Sequence, residues 1–185
     1  MRFSISTMKK FVILSALWLG VSVALATPTV ASQASTGIQV EVLGVYFTPP
    51  TDAAAAIVQA IDGSEHEVLV QAYGFTHNAI AQALVRAHQR GVAVRVLLDK
   101  KSQTSNGYVM GVLAHAQIEL RQDGKHAIAH NKVMVIDEAI VITGSFNFTN
   151  SAASRNAENF LVLKSDELAQ KYKLQWQNHW AHGVE

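Results

Sequence analysis

From Val92 to Leu98 the chain reads Val-Ala-Val-Arg-Val-Leu-Leu, an almost unbroken β-branched and apolar run. A strand that is apolar on both faces needs cover on both, so this stretch predicts an interior strand of a sheet between two layers. Shorter runs of the same kind occupy Val40 to Thr48, closed by Pro49-Pro50, and Glu67 to Ala72. Others lie near Ile118 to Leu120, at 132–136 (Lys-Val-Met-Val-Ile) and 139–143 (Ala-Ile-Val-Ile-Thr), and from Asn159 to Leu163. Between them the apolar period changes from two to about 3.6. Asp52 caps a predicted helix through Ile61, ended by Asp62-Gly63. Thr76 or Asn78 caps another, with Ile80, Ala83, Leu84 and Ala87 on one face and Gly91 as its stop. A third helix is expected around Tyr108 to Ala114, and a last one over Asp166 to His182. On that last helix Leu168, Tyr172, Trp176 and Trp180 recur at fours, a core-facing stripe. Alternating strands and helices predict an α/β/α sandwich with a central mixed sheet.

At 185 residues the chain suits one domain, assigned to 38–185. Residues 1–26 read as a secretory signal. Lys9 and Lys10 precede an apolar core from Phe11 to Leu19, and Ala24-Leu25-Ala26 forms a small-residue cleavage site. The apolar run is shorter than the ~20 residues of a membrane span. The expected product is therefore periplasmic or secreted, keeps no stable membrane anchor, and begins with a flexible segment, 27–37. Export also changes the charge. Taking Arg2, Lys9 and Lys10 from the 15 basic residues leaves 12 against 14 acidic ones, a net −2 with histidine neutral. Any attraction for phosphate must then be local rather than general. The absence of cysteine excludes disulfides and thiolate–metal sites.

The chemistry concentrates in one stretch, H-x-K-x4-D-x6-G-S-x-N: His130, Lys132, Asp137, Gly144, Ser145 and Asn147. Two strands joined at Asp137-Glu138 would put His130 and Lys132 on one face and return Ser145 and Asn147 beside them. That makes a small basic pocket for a tetrahedral oxyanion. An imidazole can attack phosphorus and leave again, while a lysine and a carboxamide can hold the non-bridging oxygens. Asp137 can equally be the turn residue of the hairpin. His126 and His130 stand four apart, but the residues between them precede a strand and no third ligand follows at a plausible spacing, so no metal site is expected. His66, His77, His179 and His182 read as surface or cap residues. Lys100, Lys101, Lys125 and Arg155 are candidate contacts to a phosphate backbone. Tyr73 and Phe75 could stack a base, although a core role fits them better.

The stretch resembles the HKD signature of the phospholipase D and nuclease superfamily, and among its members the small single-motif bacterial endonucleases. The resemblance extends to Gln71-Ala72-Tyr73-Gly74-Phe75-Thr76, to the segment running through Arg90-Gly91 into Val92–Asp99, and to Asn156-Ala157-Glu158-Asn159. It implies a phospholipase D-like fold and a phosphodiesterase that needs no cofactor and acts on DNA, with RNA as a second candidate, through a phosphohistidine. It assigns catalytic roles to His130, Lys132, Asn147 and Glu158, with Glu158 directed toward the motif histidine and Asp137 and Ser145 in support. One motif per chain implies a homodimer with a shared active site. Phospholipid headgroup cleavage, a non-enzymatic DNA-binding envelope protein and a zinc phosphoesterase are the competing readings, in falling order.

Overall fold

In the computed structural model, residues 37–185 are described; the expected signal and all of the 27–37 segment but Gly37 lie outside them. The chain alternates strands and helices: β1 (Glu41–Thr48), α1 (Ala53–Asp62), β2 (Glu67–Ala72), α2 (Asn78–Gln89) and β3 (Ala93–Asp99). A 3-10 turn over Lys100–Ser102 leads into α3 (Gln103–His115), β4 (Glu119–Asp123), β5 (Lys132–Ile136) and β6 (Ile140–Gly144). The short α4 (Asn150–Ser154), β7 (Glu158–Lys164) and α5 (Asp166–Trp180) complete the order. The strands form one mixed seven-stranded sheet, β1-β7-β6-β5-β2-β3-β4.

Period-two alternation sorts the side chains between two cores. Val68, Val70, Val94, Val96, Leu98, Met134 and Ile136 join the larger core under α1, α2 and α3. Leu69, Leu97, Val133 and Val135 face α5 and meet Ala169 and Trp176. The predicted interior strand is thus covered on both faces. The aromatic stripe of α5 packs as expected: Trp176 is buried, donates its indole N–H to the Val70 carbonyl at 2.9 Å, and stacks on Trp180 at 4.7 Å.

The structure departs from the sequence reading at a few places, each with a local cause. His77, rather than Thr76 or Asn78, occupies the N-cap of α2 and makes no side-chain cap bond. The Thr76 and His77 amides instead donate to the Phe148 carbonyl, which fixes the chain's entry into the helix from outside. Helix α3 begins at Gln103, five residues before its apolar run, because Asp99 accepts from the Ser102 amide at 2.9 Å and starts the turn. Asn106 in that polar first stretch is fully buried, accepting from Phe75 N–H and donating to the Tyr73 carbonyl. Strand β4 runs on through polar Arg121, Gln122 and Asp123 because it pairs in parallel with β3 from Arg95↔Glu119 to Asp99↔Asp123.

The register fixes where chemistry can gather. Ala72 faces Leu98 on β3 and Lys132 on β5, and Gly144 faces Phe160 on β7. The ends of β2, β3 and β4, the start of β5, the end of β6 and the start of β7 therefore share one edge. That edge carries His130, Lys132, Ser145 and Glu158.

Candidate active site

Two consecutive local folds build the site. Strand β5 starts at Lys132, with the Asn131 carbonyl accepting from Tyr73 N–H at 2.9 Å, so His130 emerges just before the ladder begins. At the other end Asp137 and Glu138 take positive φ, 52° and 55°, as the two central residues of the turn that the Ala139 amide closes on the Ile136 carbonyl at 3.1 Å. Strand β6 returns to Gly144, where a Cβ would lie 2.6 Å from Phe160 Cα and overlap the Asn159 carbonyl. Only glycine lets the two backbones approach so closely. Beyond it Phe146 and Phe148 are buried, on Phe160 and Phe75 respectively. These anchors leave Ser145 and Asn147 at the opening.

His130, Lys132, Gly144, Ser145, Asn147 and Glu158 line one cavity of about 390 Å³. His130 is exposed, and its ring lies 4.6 Å from that of Tyr73 at a 57° tilt. Lys132 is buried, at 7% exposure, and donates from Nζ to the His130 carbonyl at 2.8 Å. Its ammonium also stands 5.4 Å from the centre of the Tyr73 ring. Burial lowers the Lys132 pKa from the ordinary lysine value, and the Glu158 charge opposes that shift. The Ser145 hydroxyl donates to Glu158 Oε2 at 2.6 Å and accepts from Asn159 N–H at 3.1 Å. Asn156 Nδ2 donates to the other Glu158 oxygen at 3.0 Å. Asn147 Oδ1 is buried without a hydrogen-bond partner, close against Gly74.

The cavity therefore unites His130, Lys132, Ser145, Asn147 and Glu158. Glu158 differs in detail from its expected role, because its oxygens engage Ser145 and Asn156 rather than the His130 ring. Asp137 is not at the cavity. It sits at the far end of β5, where its carboxylate accepts from the amides of Glu65, His66 and Glu67 at 2.8–2.9 Å and ties the β5–β6 turn to the start of β2. Burial works to raise the Asp137 pKa, but the three amide donors outweigh it and hold the group below its ordinary value. The turn-residue reading is the one that fits. Lys100, Lys101 and Lys125 stand on the same sheet edge, after β3 and β4, and form no ion pair with the described residues. Arg155, at the end of α4, donates to Ser151 Oγ at 2.6 Å. Phe75 is core, whereas Tyr73 is a site residue that the sequence reading underrated. Its place immediately after β2, which pairs with β5, was the available signal.

The spacing of His126 and His130 predicts no metal site, yet the fold gathers other ligand-type residues around His126. The fold brings Asp123, His179 and His182 to His126, with one ligand atom from each lying within 4.8 Å of all the others. The missing third and fourth partners come from α5 and the residues after it, more than 50 positions away.

Over residues 57–180 the chain matches the family described as cardiolipin synthase, PLD-like domain. The chain belongs to the phospholipase D superfamily. A protein of Rickettsia conorii named phospholipase D is 43% identical over 135 residues, which are 73% of this chain and 68% of that one. The human mitochondrial cardiolipin hydrolase is 33% identical over 108 residues, 58% of this chain and 43% of its own length. Among solved structures, the phospholipase D family member Nuc from Salmonella typhimurium superposes with a TM-score of 0.75 at 35% identity, covering 78% of this chain and 97% of that one. NucT from Helicobacter pylori gives 0.70 at 25% identity, covering 79% and 99%. The chain is accordingly a phosphodiesterase of this superfamily, with the mixed sheet and flanking helices of Nuc.

Proposed function

We propose that the chain is an exported, metal-independent endonuclease that hydrolyses DNA, with RNA as a second substrate. The observation that carries this reading is the lining of the cavity: every side chain in it is polar, and a buried ammonium faces the His130 imidazole's own backbone. Such a pocket suits a phosphodiester whose neighbours are solvated. The unpaired Lys100, Lys101 and Lys125 on the same edge suit the flanking phosphates. An apolar groove does exist, lined in part by Val85, Tyr108, Val112 and Ala116, but it lies between α2 and α3 and not at this cavity.

In the proposed reaction a His130 ring nitrogen attacks phosphorus. An N–P bond forms, the P–O bond to the leaving strand breaks, and Lys132 and Asn147 hold the non-bridging oxygens. The leaving oxygen takes a proton from His130 of a second copy across a two-fold axis, and water then cleaves the phosphohistidine and restores that proton. The exposed Val45 and Phe47 on edge strand β1, where Phe47 pairs with Asn159 next to Glu158, support an apolar contact between copies near the site.

A second reading, hydrolysis of phospholipid headgroups, is favoured by the name of the Rickettsia conorii relative. Plasmid DNA, RNA and phosphatidylcholine, each offered with and without excess EDTA, separate the two. Nicking of DNA in EDTA with little or no choline release is expected. Fast choline release without DNA cleavage moves the assignment to the lipid, and loss of all activity in EDTA by protein whose fold and His130 loop are unchanged overturns the metal-free chemistry.

A further inference from the structure

Four ligand-type side chains converge at the end of β4 and the end of α5. Asp123 closes β4 and is 1% exposed. His126 follows in the loop to β5, His179 lies in the last turn of α5, and His182 comes just after it. Asp123 Oδ2 is 2.8 Å from His126 Nδ1 and 3.1 Å from His179 Nδ1, and Asp123 Oδ1 is 3.4 Å from His182 Nε2. A tetrahedral ion with bonds of about 2.0–2.1 Å separates neighbouring ligand atoms by roughly 3.3 Å. The two distances that share Oδ2 fall just below that value, and the one to Oδ1 falls just above it. All four ligand atoms lie within 4.8 Å of one another, and the His126 side chain, 42% exposed, has room to turn.

Hydrogen bonding accounts for part of the cluster, since His126 and His179 both meet Asp123 Oδ2, but it leaves His182 without a partner. His126 and His179 stack at 4.5 Å, and His182 lies 5.3 and 5.5 Å from them, so three imidazolium charges would repel at short range. Neutral imidazoles each keep one lone pair that needs a partner. Asp123 cannot supply one, being itself an acceptor that already takes the Lys125 and His126 amides. His182 Nε2 is out of solvent, faces Asp123 and makes no hydrogen bond. On the outer side of His179, Nε2 lies 2.8 Å from Gln175 Nε2, an amide nitrogen that donates to the ring. On Nδ1 the Gln71 amide, also at 2.8 Å, occupies the position that an ion would take over.

We propose that Asp123, His126, His179 and His182 bind one divalent transition ion, zinc by preference, in a closed structural site. Three nitrogens and one oxygen without thiolate suit zinc, and four protein ligands leave no open position for water or substrate. The ion would join the end of α5 to the loop between β4 and β5. That loop is also held by the Ala129 amide on Asp99 Oδ1 at 2.8 Å, and it delivers His130 four residues after His126. The site would brace the nucleophile's loop without touching phosphate.

The test is zinc titration by calorimetry of full-length protein stripped with chelator, together with the visible spectrum of the cobalt form. One equivalent of zinc with a raised Tm, and tetrahedral cobalt bands, are expected. His126→Gln and His182→Gln should each weaken zinc binding by about 100-fold or more, while His115→Gln, on the exposed face of α3, and His130→Ala should bind as wild type does. Circular dichroism of each variant separates lost ligation from lost folding. No stoichiometric binding at tenfold excess zinc overturns the proposal, as does binding lost in folded His130→Ala but kept in folded His126→Gln. DNA nicking by wild type against His130→Ala, both without chelator, reads the catalytic proposal alone, so the two fail separately.

Discussion

Ser145 donates its hydroxyl to Glu158 Oε2 at 2.6 Å while accepting the Asn159 amide at 3.1 Å, so the end of β6 sets the carboxylate that starts β7. With Asn156 on the other oxygen, Glu158 is fixed at the cavity wall rather than left to swing. Its charge opposes the burial that lowers the Lys132 pKa. Glu158→Gln should therefore let the Lys132 pKa fall further. The ammonium would be lost at lower pH, and the alkaline limb of the kcat–pH profile should move down. A limb that stays in place would show that Glu158 does not act on Lys132.

Substitution at His130 and Lys132, both in the cavity lining, should separate chemistry from folding. His130→Ala should remove turnover altogether, because the imidazole is exposed and supplies the proposed N–P bond. Lys132→Ala should lower kcat by about 10²–10³, the usual effect of losing one stabiliser of developing charge. Both are read as plasmid nicking in EDTA, with circular dichroism as the folding control. Near-wild-type nicking by folded His130→Ala rules the mechanism out.

Asp137 should behave as a structural residue. Asp137→Ala strands three amides and should cost about 2–4 kcal/mol by urea unfolding near neutral pH. Its folded pKa is depressed, so its contribution is present above the ordinary carboxylate value of ~3.9 and lost as pH falls through the lower folded value. The gap between wild type and variant should narrow in acid. A constant gap from pH 7 to pH 3 would contradict the ionised-acceptor role.

Gly144→Ala should fail for a steric reason alone. The added Cβ meets the β7 backbone at Asn159 and Phe160, which cannot retreat without breaking the β6–β7 ladder. A loss of about 2 kcal/mol or more is expected, with activity falling alongside because Ser145 and Asn147 follow directly. Chemical denaturation of variant and wild type checks it.

The dimer proposal makes a kinetic prediction. Wild type mixed with excess His130→Ala should lose activity beyond simple dilution as mixed dimers form. Full activity at concentrations where sedimentation finds only monomer sinks the shared site. Rising salt should also weaken cleavage steeply, since only local lysines meet the phosphates.

The residues that line the candidate cavity were legible in the sequence because most sit close along the chain and are aimed by local rules. Alternation in a strand places His130 and Lys132, a two-residue turn reverses the chain, and a glycine followed by alternating phenylalanines returns Ser145 and Asn147. The same short-range periodicities gave the covered strand β3, the stripe of α5 and the layered sheet. Tertiary structure decided whatever depends on pairings distant in sequence. It decided between the two readings of Asp137, as the turn residue at the far end of β5, and committed Glu158 to Ser145 and Asn156. It also set Tyr73 against His130 through the pairing of β2 with β5. The Asp123–His126–His179–His182 cluster shows the reason most plainly. Its two halves lie more than 50 residues apart, and no local pattern encodes their meeting. They come together only because α5 packs back across the sheet, burying Trp176 and carrying the end of the helix to the end of β4.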